Sequence, residues 1–180
     1  EVIQQQIEKY EHHTPEMKKT YSNFFEGTLT ECEEFVRCYV ESRHHNTVHG
    51  EVFIIGDIHA QKEKLRRLLD KIPNNAIIYT CGDMIDRGID NIGTLRILSE
   101  DKRFCGFVLG NHELAFIRER LDAVECRSQA REKTHQEVDR ATKENRNWFI
   151  EFIKSGKPYL VLEHADLNQK VLISHAGVEN

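Results

Sequence analysis

The sequence predicts an α/β fold, because short apolar segments typical of buried strands alternate with helical patterns from residue 51 onward. A polar cluster follows each apolar segment within three residues. Parallel strands joined by helices place their carboxyl ends at one edge of the sheet, where such folds carry their sites. We therefore predict a largely parallel sheet with a functional site at that edge. The apolar segments are residues 52–55, 76–79, 107–109 and 171–173.

Two helical patterns separate the first three predicted strands. Residues 61–71 carry apolar side chains at spacings of three and four, which places these side chains on one face of a helix. A second helix is predicted over residues 91–99. Each helix can connect two parallel strands. The apolar face of the first helix consists of Leu65, Leu68, Leu69 and Ile72.

The remainder of this region is predicted to contain further helices and a hairpin. Residues 113–154 are charged with both signs intermixed, and we interpret them as solvated helices covering one side of the sheet, in preference to a charged binding surface. Residues 159–163 and 170–174 flank a turn-rich stretch, which predicts a β-hairpin that ends at His175.

The first 50 residues are predicted to form a helical N-terminal extension and a linker. Thr30 and Glu33 fit a capping box, in which two side chains satisfy free backbone amides at the start of a helix. Residues 44–50 comprise three histidines, Asn46, Thr47, Val48 and Gly50, and this polar stretch is interpreted as a solvated linker. A single domain is therefore predicted over residues 51–180, after this extension.

The composition argues against several classes of protein. The formal net charge is -5 with both signs mixed, whereas nucleic-acid-binding proteins usually carry a basic patch, so we expect no nucleic-acid partner. No apolar run approaches the length that crosses a bilayer, so we expect no membrane partner. The five cysteines are odd in number and form no Cys-x-x-Cys pair, which favours reduced thiols in the cytoplasm.

Four polar clusters at the predicted strand ends carry side chains suited to metal ions and phosphate. Two divalent ions about 3.5–4 Å apart need ligands from several loops, and carboxylates, imidazoles and amides recur here. Single Gly-Asp or Asn-His pairs are common in loops, but four clusters in one order form a specific pattern. The clusters are Gly56-Asp57-Ile58-His59, Gly82-Asp83-Met84-Ile85-Asp86-Arg87-Gly88, Gly110-Asn111-His112-Glu113 and His175-Ala176-Gly177.

From residue 51 onward these clusters resemble the signature of the phosphoprotein phosphatase (PPP) family of calcineurin-like metallophosphoesterases, and look closest to its bacterial and phage branch. The resemblance implies the calcineurin-like metallophosphoesterase fold, part of a β-sandwich with flanking helices, and makes residues 51–180 the N-terminal portion of a catalytic domain. It also implies two divalent metal ions, with Mn²⁺ expected first and Fe or Zn as alternatives. The implied metal ligands are Asp57, His59, Asp83, Asn111 and His175, with Asp83 bridging the ions.

The same resemblance implies catalytic and substrate-binding roles. His112 is implied as the general acid that protonates the leaving oxygen, with Asp86 orienting it, and imidazole suits this role because it titrates near neutral pH. Arg87 and Asn111 are implied to bind the substrate phosphate, Arg87 through its forked guanidinium. The alternatives are a buried core histidine for His112 and a surface ion pair for Arg87. Glu113 is expected to support its loop.

Small residues are expected where the loops approach the metals. Gly56, Gly82 and Gly110 would let the chain turn sharply without a Cβ clash. The family usually has glycine where this chain has Ala60, so we expect a slightly altered loop there. Family members also place another metal-binding histidine and a second phosphate-binding arginine beyond the segment that matches His175. The C-terminal part of the fold is therefore expected to be missing from this sequence, and the alternative is a domain with an incomplete second metal site.

The leading functional hypothesis is a metal-dependent protein phosphatase that hydrolyses phosphoserine, phosphothreonine or phosphotyrosine with a hydroxide activated by two metal ions. Its expected partner is a phosphorylated protein or peptide, and residues 1–50 could bind another protein. One alternative is a dinucleoside tetraphosphate hydrolase, a related family that typically has Ala and Asp where this chain has Asp86 and Glu113. The other alternative is a catalytically inactive binding module.

Cys81 and Arg87 also fit the Cys-x5-Arg spacing of cysteine phosphatases. That mechanism requires a thiolate in a loop of free amides around a phosphate. Asp83 and Asp86 lie within this segment and would repel the phosphate and raise the thiol pKa. We therefore reject this mechanism and interpret Cys81 as a small buried residue.

Overall fold

The structure, a computed structural model, describes residues 45–121 and 128–175. The capping box predicted at Thr30, and Ala176 and Gly177 of the last motif, lie outside the described residues. The strands are β1 (His45–Val48), β2 (Val52–Ile55), β3 (Ile77–Thr80), β4 (Phe104–Phe107), β5 (Tyr159–His164) and β6 (Gln169–Ser174). The helices are α1 (Lys62–Leu69), α2 (Asn91–Glu100), α3 (Asn111–Leu121), α4 (Gln129–Arg140) and α5 (Lys143–Lys154).

One sheet is entirely parallel and has the strand order β2-β3-β4. Val52 pairs with Ile77 and Ile78 pairs with Phe104, and β-branched and aromatic side chains of this kind favour strands. Helices α1 and α2 connect its strands, as the alternating pattern predicted. Of the four predicted core residues on α1 and just after it, Leu68 is 41% exposed and the other three are buried.

The second sheet has the strand order β1-β5-β6. Strands β5 and β6 form the predicted antiparallel hairpin, with Tyr159 opposite Ser174. The prediction of a solvated linker is wrong for residues 45–48, because this segment forms β1 and pairs in parallel with β5. The pairing satisfies the backbone groups of β1 that face β5, and the side chain of Val48 is buried.

Two apolar clusters hold three layers together. The first cluster lies between the two sheets and draws residues from both: Val48, Tyr79, Val108, Leu160, Leu162 and Ile173. The second lies between the parallel sheet and the helices, and its largest fully buried side chains include Phe116, Phe149, Ile78 and Leu95. This arrangement confirms the predicted sandwich portion with flanking helices.

The charged segment after residue 113 contributes more to the core than its composition suggested. Residues Phe116, Val138, Phe149 and Ile153 of α3, α4 and α5 are at most 1% exposed. Only the outer faces of these helices are solvated, and their inner faces pack on one side of the parallel sheet, which confirms the predicted helical cover. Within the two described ranges, no helix is both long and apolar enough to span a membrane.

Candidate active site

The loops after β2 and β3 are joined to each other by their backbones. The amides of Ile58 and His59 donate to the carbonyl of Asp83 at 3.1 and 2.9 Å, and the amide of Ala60 donates to the carbonyl of Met84 at 2.8 Å. The carboxyl ends of neighbouring parallel strands lie side by side, so the first two polar clusters meet.

Five non-glycine residues in these two loops adopt the left-handed backbone conformation. Their φ values lie between 47° and 68°. This conformation costs an L-residue roughly 1–2 kcal/mol, and such strain is concentrated at functional sites. Ala60 is one of them, so the alanine that replaces the usual family glycine keeps a conformation that glycine would adopt without strain. The five are His59, Ala60, Asp83, Asp86 and Arg87.

Gly82 and Gly110 allow two loops to touch backbone to backbone. A Cβ on Gly82, whose φ is 89°, would overlap the backbone nitrogen of Gly110, and a Cβ on Gly110 would overlap Asp83. These two glycines are therefore required, as the sequence predicted. The same prediction is wrong for Gly56, because a Cβ there would point into open space.

The carboxylate of Glu113 is completely buried and binds four backbone amides. One oxygen accepts from Asp83 at 2.8 Å and Gly110 at 2.9 Å, and the other accepts from Met84 at 2.7 Å and Ile85 at 3.2 Å. Burial raises the pKa of Glu113, and the amides that donate to it act in the opposite direction. Glu113 therefore supports the loops, as predicted.

The Asp83 carboxylate lies at the centre of the candidate metal ligands. Its oxygens are 3.8 Å from Nε2 of His59, 3.8 Å from Nε2 of His112 and 3.5 Å from Nε2 of His175. The carboxylate of Asp57 lies 3.7 Å from Nε2 of His59. One buried carboxylate thus faces three imidazoles contributed by three different loops.

Two of these imidazoles are oriented by backbone carbonyls. Nδ1 of His59 donates to the carbonyl of Ile85 at 3.0 Å, and Nδ1 of His175 donates to the carbonyl of Cys81 at 2.8 Å. Metal-binding histidines are commonly held in this way, with the second nitrogen left as the ligand atom. Nε2 of His175 is also 3.1 Å from the side-chain oxygen of Asn111.

The donor set fits divalent metal ions. Nε2 of His59 is buried without a hydrogen-bond partner, which a bound cation would supply. Ligand atoms of His59, Asp83 and His112 lie within 4.8 Å of one another, and carboxylates with imidazoles suit borderline ions. The geometry also allows His112, predicted as an acid and not a ligand, to contact an ion.

His112 and Asp86 form a buried pair. The Nδ1–H group of His112 donates a hydrogen bond to one oxygen of Asp86 at 2.7 Å, and the other Asp86 oxygen accepts from the hydroxyl of Thr134. The Asp86 amide donates to the side-chain oxygen of Asn91 at 2.8 Å. The sequence predicted the first contact but missed Thr134 and Asn91. Asn91 lies three residues after a motif, whereas Thr134 lies 48 residues from Asp86 in a segment without one.

Arg87 extends from this pair into solvent. Its Nη2 atom is 3.3 Å from Nε2 of His112. Across the part of the chain that the structure describes, Arg87 makes no ion pair, so the surface-pair alternative has no partner there. The guanidinium remains available for an anion beside the imidazole.

Cys81 does not have the environment of a phosphatase nucleophile. Burial, and then the nearby Asp57 carboxylate, raise the pKa of the Cys81 thiol. The direction agrees with the rejection of a cysteine mechanism, although Asp57 contributes instead of the two carboxylates named from the sequence. Cys81 is also only partly buried.

A comparison with known protein families matches residues 50–179 to the calcineurin-like phosphoesterase model. The chain belongs to the calcineurin-like phosphoesterase family. A crystal structure of a candidate diadenosine tetraphosphatase has a related fold, with a TM-score of 0.50, 19% identity, and coverage of 74% of this chain and 55% of that one. The metallophosphoesterase part of the predicted resemblance is thereby confirmed.

Curated relatives point away from protein phosphatases. Symmetrical bis(5'-nucleosyl)-tetraphosphatases of Aeromonas hydrophila and Wigglesworthia glossinidia brevipalpis are 32% identical over 127 residues and 30% identical over 129 residues. These alignments cover 69% and 70% of this chain but 43% and 44% of the relatives, so the chain spans less than half of their length. The expectation of a phosphorylated protein or peptide partner is wrong, because the relatives are named for dinucleoside tetraphosphates.

Replacing Glu113 with Gln is expected to destabilise the fold by about 2–4 kcal/mol. In either orientation of the glutamine side chain, its NH₂ group replaces an oxygen that accepts from two backbone amides. Hydrogen-bond donors then face each other inside the protein. Urea unfolding measures the change. The matched control is Glu151→Gln, which removes one exposed pair with Lys154 and should change stability by less than about 0.5 kcal/mol. Equal effects of the two substitutions would contradict the conclusion that the Glu113 carboxylate holds the loops together.

Replacing Asp83 with Asn is expected to weaken Mn²⁺ binding by at least about tenfold, because the central carboxylate loses its charge. Asparagine tolerates the left-handed backbone at this position, so the loop should keep its shape. Calorimetric Mn²⁺ titration, with circular dichroism as the folding control, measures the effect. Unchanged Mn²⁺ affinity and stoichiometry would exclude Asp83 as a ligand.

Proposed function

We propose that this chain forms the metal- and phosphate-binding part of a hydrolase that cleaves dinucleoside tetraphosphates symmetrically. The carrying observation is the buried His112–Asp86 pair, which meets the Asp83 carboxylate on one side and the Arg87 guanidinium on the other. An acid, a cluster of candidate metal ligands and a cation thus converge on one edge of the sheet. The names of the curated relatives support the substrate class.

The proposed metal ligands are the five residues named from the sequence, with Asp83 between the two ions. Divalent ions held there would supply Lewis-acid activation of phosphoryl oxygens and would lower the pKa of a water molecule. We propose Mn²⁺ for both positions, with Fe or Zn as alternatives, because carboxylate and amide oxygens suit Mn²⁺ and imidazoles also suit Fe and Zn. The ligands are Asp57, His59, Asp83, Asn111 and His175.

The side chains around His112 would serve the leaving group. Hydrolysis adds the hydroxyl of water to one phosphorus of the bridge and a proton to the oxygen that departs with the other nucleotide. His112 would donate that proton from Nε2, while Asp86 holds Nδ1 and stabilises the protonated ring. Arg87 and Asn111 would bind phosphoryl oxygens, Arg87 as a bidentate donor.

Two residues that favoured a protein phosphatase in the sequence have local structural roles. Asp86 contacts His112 and Thr134, and Glu113 contacts backbone amides; both carboxylates are 0% exposed. Neither side chain can touch a substrate. Their burial gives them no direct part in distinguishing a nucleotide from a protein substrate, and the names of the relatives support the nucleotide.

The division of the chain into an N-terminal extension and a catalytic part remains a proposal. Because β1 pairs with β5, we propose that the catalytic part begins at β1 and that the extension precedes it. The preceding residues would then be available to a protein partner, as proposed from the sequence.

The proposed activity is tested with the Mn²⁺-loaded chain and diadenosine tetraphosphate, with product analysis by chromatography. Two molecules of ADP per substrate are expected, together with slower turnover of an aryl phosphate. Formation of AMP and ATP would contradict symmetrical cleavage. Mn²⁺ binding without turnover of either substrate would favour the inactive binding module.

Replacing His112 with Asn should lower kcat by about 10²–10⁴-fold, as expected for loss of a general acid. Mn²⁺ affinity should stay unchanged, because a proton donor is not a ligand. Steady-state kinetics and Mn²⁺ calorimetry on the same preparation separate the two roles. A parallel loss of metal and activity would make His112 a ligand, and unchanged kcat would make it structural.

A further inference from the structure

A groove of about 1110 Å³ opens beside Arg87. It runs between the loop after β3, the start of α2, and α4. Small-molecule sites commonly occupy about 300–1,000 Å³, so the groove is large enough for a nucleotide. Its lining residues include Arg87, Ile89, Ile92, Lys133, Gln136 and Arg140.

One face of α4 supplies a polar wall of this groove. The lining residues Gln129, Lys133, Gln136 and Arg140 are spaced by four, three and four residues, which places them in one row along the helix. Lys133 and Arg140 are exposed and make no hydrogen bond or ion pair with any residue in the described ranges. With Arg87, the groove therefore carries three cations that lack an anionic partner among those residues.

The acidic residue in the groove, Glu137, is already hydrogen-bonded to groups of the protein. Glu137 accepts from the backbone and side-chain amides of Asn91 at 3.1 and 2.7 Å, and from the amide of Ile92 at 2.9 Å. A carboxylate at this position also opposes the positive end of the α2 dipole. The Glu137 carboxylate therefore faces amide donors of α2, and the three cations of the groove favour the binding of an anion.

The same contacts attach the wall to the active site. Glu137 joins α4 to the start of α2, and Thr134 on α4 donates to Asp86, the partner of His112. Lys133 adjoins Thr134 in the chain, and Arg140 lies three residues beyond Glu137. The two cations therefore lie on a helix that hydrogen bonds attach to the loop after β3, which carries Asp86 and Arg87.

Ile89 adds an apolar contact at the rim of the groove. Its side chain is 97% exposed, although it lies in the loop directly after Arg87 and Gly88. A fully exposed large apolar residue beside a row of cations is suited to one face of an aromatic base, with phosphates on the cations.

We propose that this groove binds the departing nucleoside diphosphate of the substrate, with its phosphates on Lys133 and Arg140 and its base against Ile89. The assignment to the departing half follows from Arg87, which lies at the groove and 3.3 Å from the proposed leaving-group acid His112. This inference rests on the proposed function for its substrate class. It adds the residues that distinguish a dinucleotide from a simple phosphate ester.

The test compares ligand binding by the Mn²⁺-loaded chain and its Lys133→Ala/Arg140→Ala variant. Loss of two phosphate-binding cations should weaken the binding of ADP and of pyrophosphate by about tenfold or more. Inorganic phosphate, which fits at Arg87 alone, should bind both proteins with similar affinity. Ile89→Ala should weaken ADP and leave pyrophosphate unchanged. The matched control is Lys64→Ala/Arg67→Ala, which removes two exposed cations from α1.

Kinetics provide the second readout. The ratio of kcat/KM for diadenosine tetraphosphate to that for an aryl phosphate should fall about tenfold or more in the Lys133/Arg140 variant and stay unchanged in the α1 control. Equal ADP affinities in the wild type and the groove variant, or no ADP binding at all, would overturn the proposal. ADP binding that depends on Lys133 and Arg140 without any hydrolysis would refute the proposed function and support the groove.

Discussion

The buried carboxylate of Glu113 is the contact on which the candidate site depends. It binds the amides of Asp83, Met84 and Ile85 and the amide of Gly110, so one side chain joins the loops after β3 and β4. The first loop carries Asp83 and Asp86, and the second leads directly into the first turn of α3, which carries His112. The four hydrogen bonds offset the burial of the charge and hold left-handed residues that would relax in a free loop.

A second network extends the site into the helical layer. Asp86 orients His112 and accepts from Thr134, so α4 is part of the support of the proposed acid. Glu137 joins the same helix to the start of α2. The inner face of α4 thereby positions the catalytic loop, while its exposed cations border the groove. A charged segment can thus serve the core, the catalytic loop and a binding surface through different faces of one helix.

The corrected substrate class has a physical explanation. In the sequence motifs, Asp86 and Glu113 favoured a protein phosphatase over a dinucleoside tetraphosphate hydrolase. Both side chains are enclosed by protein in the structure. The identity of such buried residues depends on the groups that they bind inside the protein, which are loop amides for Glu113 and an imidazole for Asp86. The exposed cations that we propose to bind the substrate, Lys133 and Arg140, belong to no motif. The dinucleoside tetraphosphatase relatives therefore corrected a conclusion that the catalytic motifs could not support.

The sequence alone determined the parallel sheet, the hairpin and the positions of the four polar clusters, because strand and helix periodicity and strand-end motifs are local properties of a chain. It did not reveal β1 in the predicted linker, since that strand is stabilised by pairing with β5, more than 100 residues away. It also missed Thr134 and Glu137, whose partners are 48 and 46 residues away. Only the tertiary structure decided these contacts, because hydrogen bonds between distant segments leave no periodicity in the sequence.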